Sequence, residues 1–393
     1  MAGVPLRPVV VLGATGSIGT QALDVAARLD IPVAGLAAGR ASRELLTLAG
    51  AHVEASVAVA EPGEAREEFR AALGSRVSFG PQAVADLAAA PGATILNGIV
   101  GAVGLVASLT ALEAGNRLAL ANKESLVAGG PLVIAARDRG GGELIPVDSE
   151  HSAIWQCLVG EPPGSVRRLI LTASGGPFRG RSVAGLASVT PADALAHPTW
   201  EMGPRITVDS ATLMNKAFEV IEAHYLFEAD YDDIDVVVHP QSYVHSIVEF
   251  GDGVLKAEIG PPDMRKPIQY ALTAPDRGHV SASTAEPAAA KLVGMELAFE
   301  APDRVAFPCL ELGYEAGRRG GNATAVLNAA DEEAVAAFLD ARLPFSAIAE
   351  IVAASLEIVP WSGLRDLDDV IAADRAAREA ARSTIADLAR SSP

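Results

Sequence analysis

Three carboxylates, Asp148, Glu150 and Glu219, and three evenly spaced glycines, Gly13, Gly16 and Gly19, are the residues of this 393-residue chain whose types and spacing can do chemistry. Asp148 and Glu150 stand two apart in Pro146-Val147-Asp148-Ser149-Glu150-His151-Ser152, after a strand-like run. In extended backbone such residues point to the same side. Two carboxylates that close need a proton or a cation, and a hard divalent ion such as Mg²⁺ or Mn²⁺ suits oxygen donors. A solvated acidic turn has the same spacing. Glu219 lies in a helical pattern from Ser210 to Ile221, where Leu213, Met214, Ala217, Phe218, Val220 and Ile221 share one face. Asn215, Lys216 and Glu219 share the opposite arc at i,i+4 and i,i+3 spacing, with Asp209 or Ser210 expected to cap the helix. A solvent face with a surface salt bridge reads the same way.

The glycines follow the apolar run Val9-Val10-Val11-Leu12 and precede an amphipathic stretch from about Ile18 to Leu29. Strand, glycine turn and helix let the backbone approach a pyrophosphate at the helix N-terminus, so a nicotinamide dinucleotide and an oxidoreductase are expected. A tight turn without a ligand is the plainer alternative. After the second strand the sequence is Ala38-Gly39-Arg40-Ala41-Ser42-Arg43, with no carboxylate for a ribose 2′-hydroxyl. Arg40 and Arg43 suit a 2′-phosphate, which favours NADPH, although loop arginines are often only solvated. Ser174 in Thr172-Ala173-Ser174-Gly175-Gly176, with Ser210, Asn215 and Lys216, offers an anion site in a chain of net charge −18. Ser174 in a plain turn is the alternative. His197 to Arg205, with Trp200, Met202 and Gly203, has the composition of a flap over a ligand, at about residues 195–206; a Trp in a loop also serves as a packed anchor.

These residues need elements to hold them. Apolar runs at 9–12, 33–37, 57–59, 94–96 and 117–120 alternate with helical patterns, which predicts an α/β fold opening with a Rossmann-like doubly wound domain at 1–147. Strand-like runs at 169–172, 235–238 and 244–248 place a central α+β catalytic domain at 148–275. A connector at 276–307 and an Ala- and Glu-rich C-terminal helical domain at 308–393 follow. The acidic balance argues against nucleic acid and anionic membranes as partners. Two cysteines without metal or disulfide spacing, and a start without signal-peptide pattern, suggest the cytoplasm. Cys157, near Trp155, reads as buried rather than nucleophilic, against an acylating aldehyde dehydrogenase. Another NADPH enzyme of phosphorylated aldehydes and an NADPH-sensing module are the rival readings.

The blocks GATGSIG from Gly13, NGIVGAVGL from Asn97, LALANKESLVAGG from Leu118, PVDSEHSA from Pro146, ASGGPFR from Ala173, HPTWEMGPRITVDSATLMNK from His197, HPQSYVHS from His239 and PPDMRKPI from Pro261 carry a resemblance over nearly the whole chain. The sequence resembles the 1-deoxy-D-xylulose 5-phosphate reductoisomerase family, whose members make 2-C-methyl-D-erythritol 4-phosphate for non-mevalonate isoprenoid synthesis. The resemblance implies Mg²⁺, Mn²⁺ or Co²⁺ at Asp148, Glu150 and Glu219, and a small phosphorylated sugar held by Ser149, Glu150, Ser174, His197, Trp200, Met202, Ser210, Asn215, Lys216 and Glu219. Cofactor contacts are implied for Gly13, Thr15, Gly16, Ser17, Ile18, Gly19, Gly39, Arg40, Asn122, Glu124 and Gly203. Lys123 and Glu150 are implied in proton handling beside the metal, with acid and base unassigned. Ala41 departs from the family's usual asparagine. A retro-aldol and aldol rearrangement followed by hydride transfer from NADPH, and a homodimer, are also implied.

Overall fold

Val9-Val10-Val11-Leu12 has no polar face, the pattern of a strand covered on both sides, and it forms β1 (Val9–Leu12), buried throughout. The computed structural model describes residues 6–200, 202–278 and 292–391. From β1 the chain alternates through α1 (Ser17–Arg28), β2 (Val33–Arg40), α2 (Arg43–Ala51), β3 (Ser56–Glu61), α3 (Arg66–Leu73), β4 (Val77–Phe79), α4 (Pro81–Ala88), β5 (Thr94–Asn97), α5 (Gly104–Glu113), β6 (Arg117–Leu120), α6 (Lys123–Gly140) and β7 (Glu143–Pro146). The strands form a seven-stranded sheet in the order β4-β3-β2-β1-β5-β6-β7, with every pairing parallel. Successive strands leave β1 first to one side and then, from β5, to the other. That reversal opens a crevice at the carboxyl end of β1, where such sheets bind ligands. The doubly wound α/β sheet expected from the alternating runs is present, with β4 added; its three residues are too few to show a pattern.

Next come α7 (Ser149–Leu158), β8 (Val166–Ala173), α8 (Val183–Leu186), α9 (Pro191–Leu195), α10 (Pro204–Thr212), α11 (Met214–Phe227), β9 (Ile234–Val238), β10 (Val244–Phe250), β11 (Leu255–Ile259) and α12 (Arg265–Thr273). The second sheet has the order β11-β10-β8-β9, antiparallel except for β8 with β9. Four helices close the chain, α13 (Cys309–Arg319), α14 (Ala323–Leu339), α15 (Ala347–Ile358) and α16 (Leu367–Ser391).

Two compact units result. One gathers residues up to 125 with 133–152 and 263–293, and the other gathers 126–132, 153–262 and 294 onward. In the first, α12 packs on α1 and on β6 and β7, and the Arg117 guanidinium donates to the Ala274 carbonyl at 2.8 Å. In the second, α11 is apolar on most of its circumference and sits in a core with Leu171, Phe178, Tyr314 and Val326. Part of the expected connector, residues 279–291, lies outside the described residues. Among the described residues no helix is long and apolar enough to cross a membrane.

Candidate active site

At the carboxyl end of β1 the chain turns at Gly13, whose φ is +83°. A Cβ there would stand 2.6 Å from the Gly98 carbonyl oxygen, and one on Gly19 would stand 2.2 Å from the Gly13 carbonyl oxygen and 2.7 Å from the Ala14 Cα. Backbone cannot yield to such overlaps, so both positions require glycine. Their absence of side chains draws the first turn of α1 onto the strand end. Gly16 is the N-cap of α1 and no side chain closes it. The amides of Ser17, Ile18 and Gly19 therefore begin a helix with the positive end of its dipole unscreened, the setting that takes a phosphate. Thr15 lies in the same turn.

Gly39 and Arg40 end β2 and Arg43 starts α2, all exposed. Among the described residues neither arginine has an ion pair. The Ser42 hydroxyl accepts from the Leu45 amide at 3.2 Å, so it caps α2 and its oxygen is committed there.

Asn122 and Glu124 follow β6 and face the loop after β5. The Asn122 amide donates to the carbonyls of Ile99 at 2.7 Å and Gly101 at 3.0 Å and to Glu124 Oε2 at 2.8 Å, while Glu124 Oε1 accepts from the Gly101 amide at 3.1 Å. Asn97 ties the other side of that loop through Gly104 and Ser108. Asn122 and Glu124 thus fix the segment against which Gly13 packs. Asn97 and Ser108 are polar residues within the apolar stretch from Thr94 to Leu112, the signal of a buried network in the sequence.

Asp148, Ser149 and Glu150 are not extended, as the i,i+2 reading expects. Asp148 Oδ1 accepts from the amides of Glu150 at 3.1 Å and His151 at 3.4 Å, so Asp148 caps α7, and Ser149 and Glu150 form its first turn. An aspartate preceding a helical run favours this cap over strand continuation. Lys123 Nζ pairs with Asp148 Oδ2 and His151 Nδ1 lies 3.2 Å from Oδ1, while the Ser149 hydroxyl donates to Glu150 at 2.5 Å. His151 is not among the residues singled out above; its place three residues after Asp148 is its signal in the sequence.

In the second unit Ser174 follows β8, and Gly175 and Gly176 are both left-handed, with φ of +85° and +66°. A Cβ on Gly176 would lie 2.7 Å from the Ser210 carbonyl oxygen, so the absent side chain lets this turn approach the end of α10. His197 Nδ1 accepts from the amides of Trp200 at 2.8 Å and Thr199 at 3.2 Å. Its proton is therefore on Nε2, which donates to Ser174 Oγ at 3.0 Å. Burial also holds the imidazole pKa below its usual value, favouring this neutral tautomer. Ser174 Oγ accepts from the Gly176 amide as well, at 3.1 Å, which leaves the hydroxyl proton for another acceptor. Trp200 and Met202 are half-buried in the segment between α9 and α10, the Trp200 ring 6.3 Å from that of His245, and Gly203 caps α10.

Ser210 lies in the last turn of α10 rather than capping the helix that carries Glu219. A left-handed Leu213, φ +61°, separates the two helices, so neither Asp209 nor Ser210 begins α11. The arc of Asn215, Lys216 and Glu219 is no solvent face: Lys216 and Glu219 are buried, with side chains 4% and 1% exposed. Lys216 Nζ pairs with Glu219 Oε2, and the Asn215 amide donates to Oε1 at 2.7 Å. Charges this deep are retained at a cost in desolvation, which marks the arc as something other than ornamental surface. Burial raises the Cys157 thiol to about 11, so no activated nucleophile stands there.

Three family models match the chain: 1-deoxy-D-xylulose 5-phosphate reductoisomerase over residues 9–130, its C-terminal domain over 144–227, and DXP reductoisomerase C-terminal domain over 259–380. A 1-deoxy-D-xylulose 5-phosphate reductoisomerase of Beutenbergia cavernae is 53% identical over 390 residues, covering 97% of this chain and 98% of that one. The enzyme of Zymomonas mobilis solved in complex with NADPH superposes with a TM-score of 0.89 at 42% identity, over 97% of this chain and 99% of that one. A DOX-P reductoisomerase solved with NADPH, fosmidomycin and magnesium gives 0.86 at 34% identity, over 98% and 99%. With matches of this length on both units, the chain belongs to the 1-deoxy-D-xylulose 5-phosphate reductoisomerase family.

Proposed function

We infer that the chain converts 1-deoxy-D-xylulose 5-phosphate to 2-C-methyl-D-erythritol 4-phosphate with NADPH and a divalent metal ion. The observation that carries this is a dinucleotide turn that only glycine permits, in a chain aligned end to end with reductoisomerases that also keeps buried carboxylates. The donor chemistry fits a hard cation: Asp148, Glu150 and Glu219 bring only carboxylate oxygens, and we assign them as its ligands. A bound divalent ion supplies Lewis acidity to the sugar's oxygens, and NADPH supplies hydride.

The protein's own groups do the rest. Ser174, its oxygen already accepting from Gly176 and His197, donates a hydrogen bond to a phosphate oxygen, and Ser210, Asn215 and Lys216 complete that grip. Holding the phosphate away from the reacting carbons positions the sugar. His197 acts as a neutral donor, and Ser149 orients Glu150. Lys123 Nζ and the Glu150 carboxylate are the groups that take and return protons at the sugar's hydroxyls. Trp200 and Met202 close over the substrate and exclude water. On the cofactor side, the amides of Thr15 and of Ser17 to Gly19 hold the pyrophosphate, with Gly13 and Gly16 shaping the turn, Arg40 meets the 2′-phosphate, and Gly39, Asn122, Glu124 and Gly203 line the remainder.

By role, residues 1–147 serve the cofactor and 148–275 the metal and substrate, with 276–307 as connector and 308–393 as helical support. A homodimer in the cytoplasm is part of the same reading. Incubation with 1-deoxy-D-xylulose 5-phosphate and NADPH tests it: the expected result is one branched polyol phosphate formed per NADPH oxidised, and NADPH that stays reduced would reject it.

A further inference from the structure

Sites that prefer NADH place an acid at the end of the second strand, where it grips the ribose 2′-hydroxyl. In this chain β2 ends instead on Gly39 and Arg40, and Ala41 after them brings no polar group. The acid stands one strand further out. β3 ends at Glu61, and the parallel register of the two strands sets Glu61 directly beside Arg40. Register partners on adjacent strands lie about 5 Å apart and point to the same face of the sheet. β4 stops short of this point: its last pair is Phe79 with Val59, two residues before Glu61. The cations of α3 are turned elsewhere, since the guanidinium carbons of Arg66 and Arg70 lie over the Phe79 ring, 4.9 and 5.7 Å from its centroid. Arg40 and Glu61 are both exposed, and among the described residues neither is drawn into an ion pair. Each is therefore open to a ligand that reaches the carboxyl ends of β2 and β3.

We propose that Glu61 is a specificity-determining residue of the cofactor site and works against Arg40: its carboxylate repels the 2′-phosphate of NADPH and accepts from the 2′-hydroxyl of NADH. The proposal rests on the reading that Arg40 meets the 2′-phosphate. A cation and an acid in register give the same strand ends a donor for one cofactor and an acceptor for the other, so Glu61 narrows the discrimination that Arg40 creates. Across solvent, a carboxylate a few ångströms from a doubly charged phosphate changes affinity about three- to tenfold, and dissolved salt screens the effect.

Fluorescence titration of the full chain with NADPH and with NADH, at low and at high salt, tests this. Glu61→Gln is expected to bind NADPH about fivefold more tightly at low salt, with NADH affinity unchanged or lowered by up to about twofold. At about 0.5 M salt the gain should shrink below about twofold. Glu61→Lys should bind NADPH more tightly still. Both sites are exposed at a strand end, so unfolding midpoints should stay within about 2 °C of the wild type. NADPH affinity unchanged in both variants at low salt, with Arg40→Ser still weakening it, would overturn the role of Glu61 and leave the reading of Arg40 intact. A gain equal for NADPH and NADH, or insensitive to salt, would overturn it too, because the 2′-phosphate would not be the group that Glu61 meets. Arg40→Ser that left NADPH affinity unchanged would overturn the reading of Arg40 and the proposal with it. Because binding alone is measured, turnover of the sugar phosphate does not enter the result.

Discussion

The glycine turn of the first unit and the polar arc of the second offer a ligand opposite kinds of groups. Around Gly13, Gly16 and Gly19 the groups on offer are the backbone amides of Ser17 to Gly19 that open α1, and the sequence contributes by leaving side chains out. At Ser174, His197, Asn215, Lys216 and Glu219 the groups on offer are side chains, each held by another. A backbone cradle tolerates changes in nearby side chains but not an added Cβ. A side-chain cradle tolerates small steric changes but not the loss of one charge, because its partner is left buried and unpaired.

The largest break in that contrast is Glu219→Gln. Turnover is expected to fall about a thousandfold or more while NADPH affinity, followed by fluorescence titration, stays within about twofold. Equal loss of both would erase the distinction between the two cradles. Gly19→Ala is the converse: its Cβ meets backbone at 2.2 Å, so NADPH affinity should fall about 10- to 100-fold, with a lowered unfolding midpoint. An alanine variant that bound NADPH normally would show that the helix can recede from the strand. Arg40→Ser probes a side chain added to the backbone cradle. Losing a charged contact to the 2′-phosphate should cut the preference for NADPH over NADH about tenfold, measured as a ratio of kcat/KM values, and an unchanged ratio would move that role elsewhere.

The smallest expected effect concerns His197. Its folded-state pKa is depressed by burial, so below about pH 6.5 the unfolded chain gains a proton that the folded chain resists. Wild type should lose stability relative to His197→Gln as pH falls through that range, with a constant gap above it. A gap that stays flat through pH 5 would mean the imidazole titrates normally.

The two cradles were also unequally legible in the sequence. Gly13 to Gly19 read directly, since glycine spacing between strand and helix has a steric reason that is local. The arc on α11 did not, because Asn215, Lys216 and Glu219 match an ordinary solvent face until the surrounding core is known. Asp148 was legible as a residue but not in its conformation: whether it continues a strand or caps α7 depends on competition between β-pairing and a single side-chain hydrogen bond. Leu213 in a left-handed conformation was hidden as well, since nothing in a leucine announces it. The strand β11 escaped because Leu255-Lys256-Ala257-Glu258-Ile259 alternates only weakly at a sheet edge.

If metal and dinucleotide are held by separate means for separate steps, titration with a chelator separates them. With 1-deoxy-D-xylulose 5-phosphate present, NADPH oxidation should fall to background as divalent ions are removed and return when magnesium is restored. NADPH binding by fluorescence should remain within about twofold throughout. Oxidation that persists in excess chelator, or NADPH binding lost in step with it, would rule out that separation.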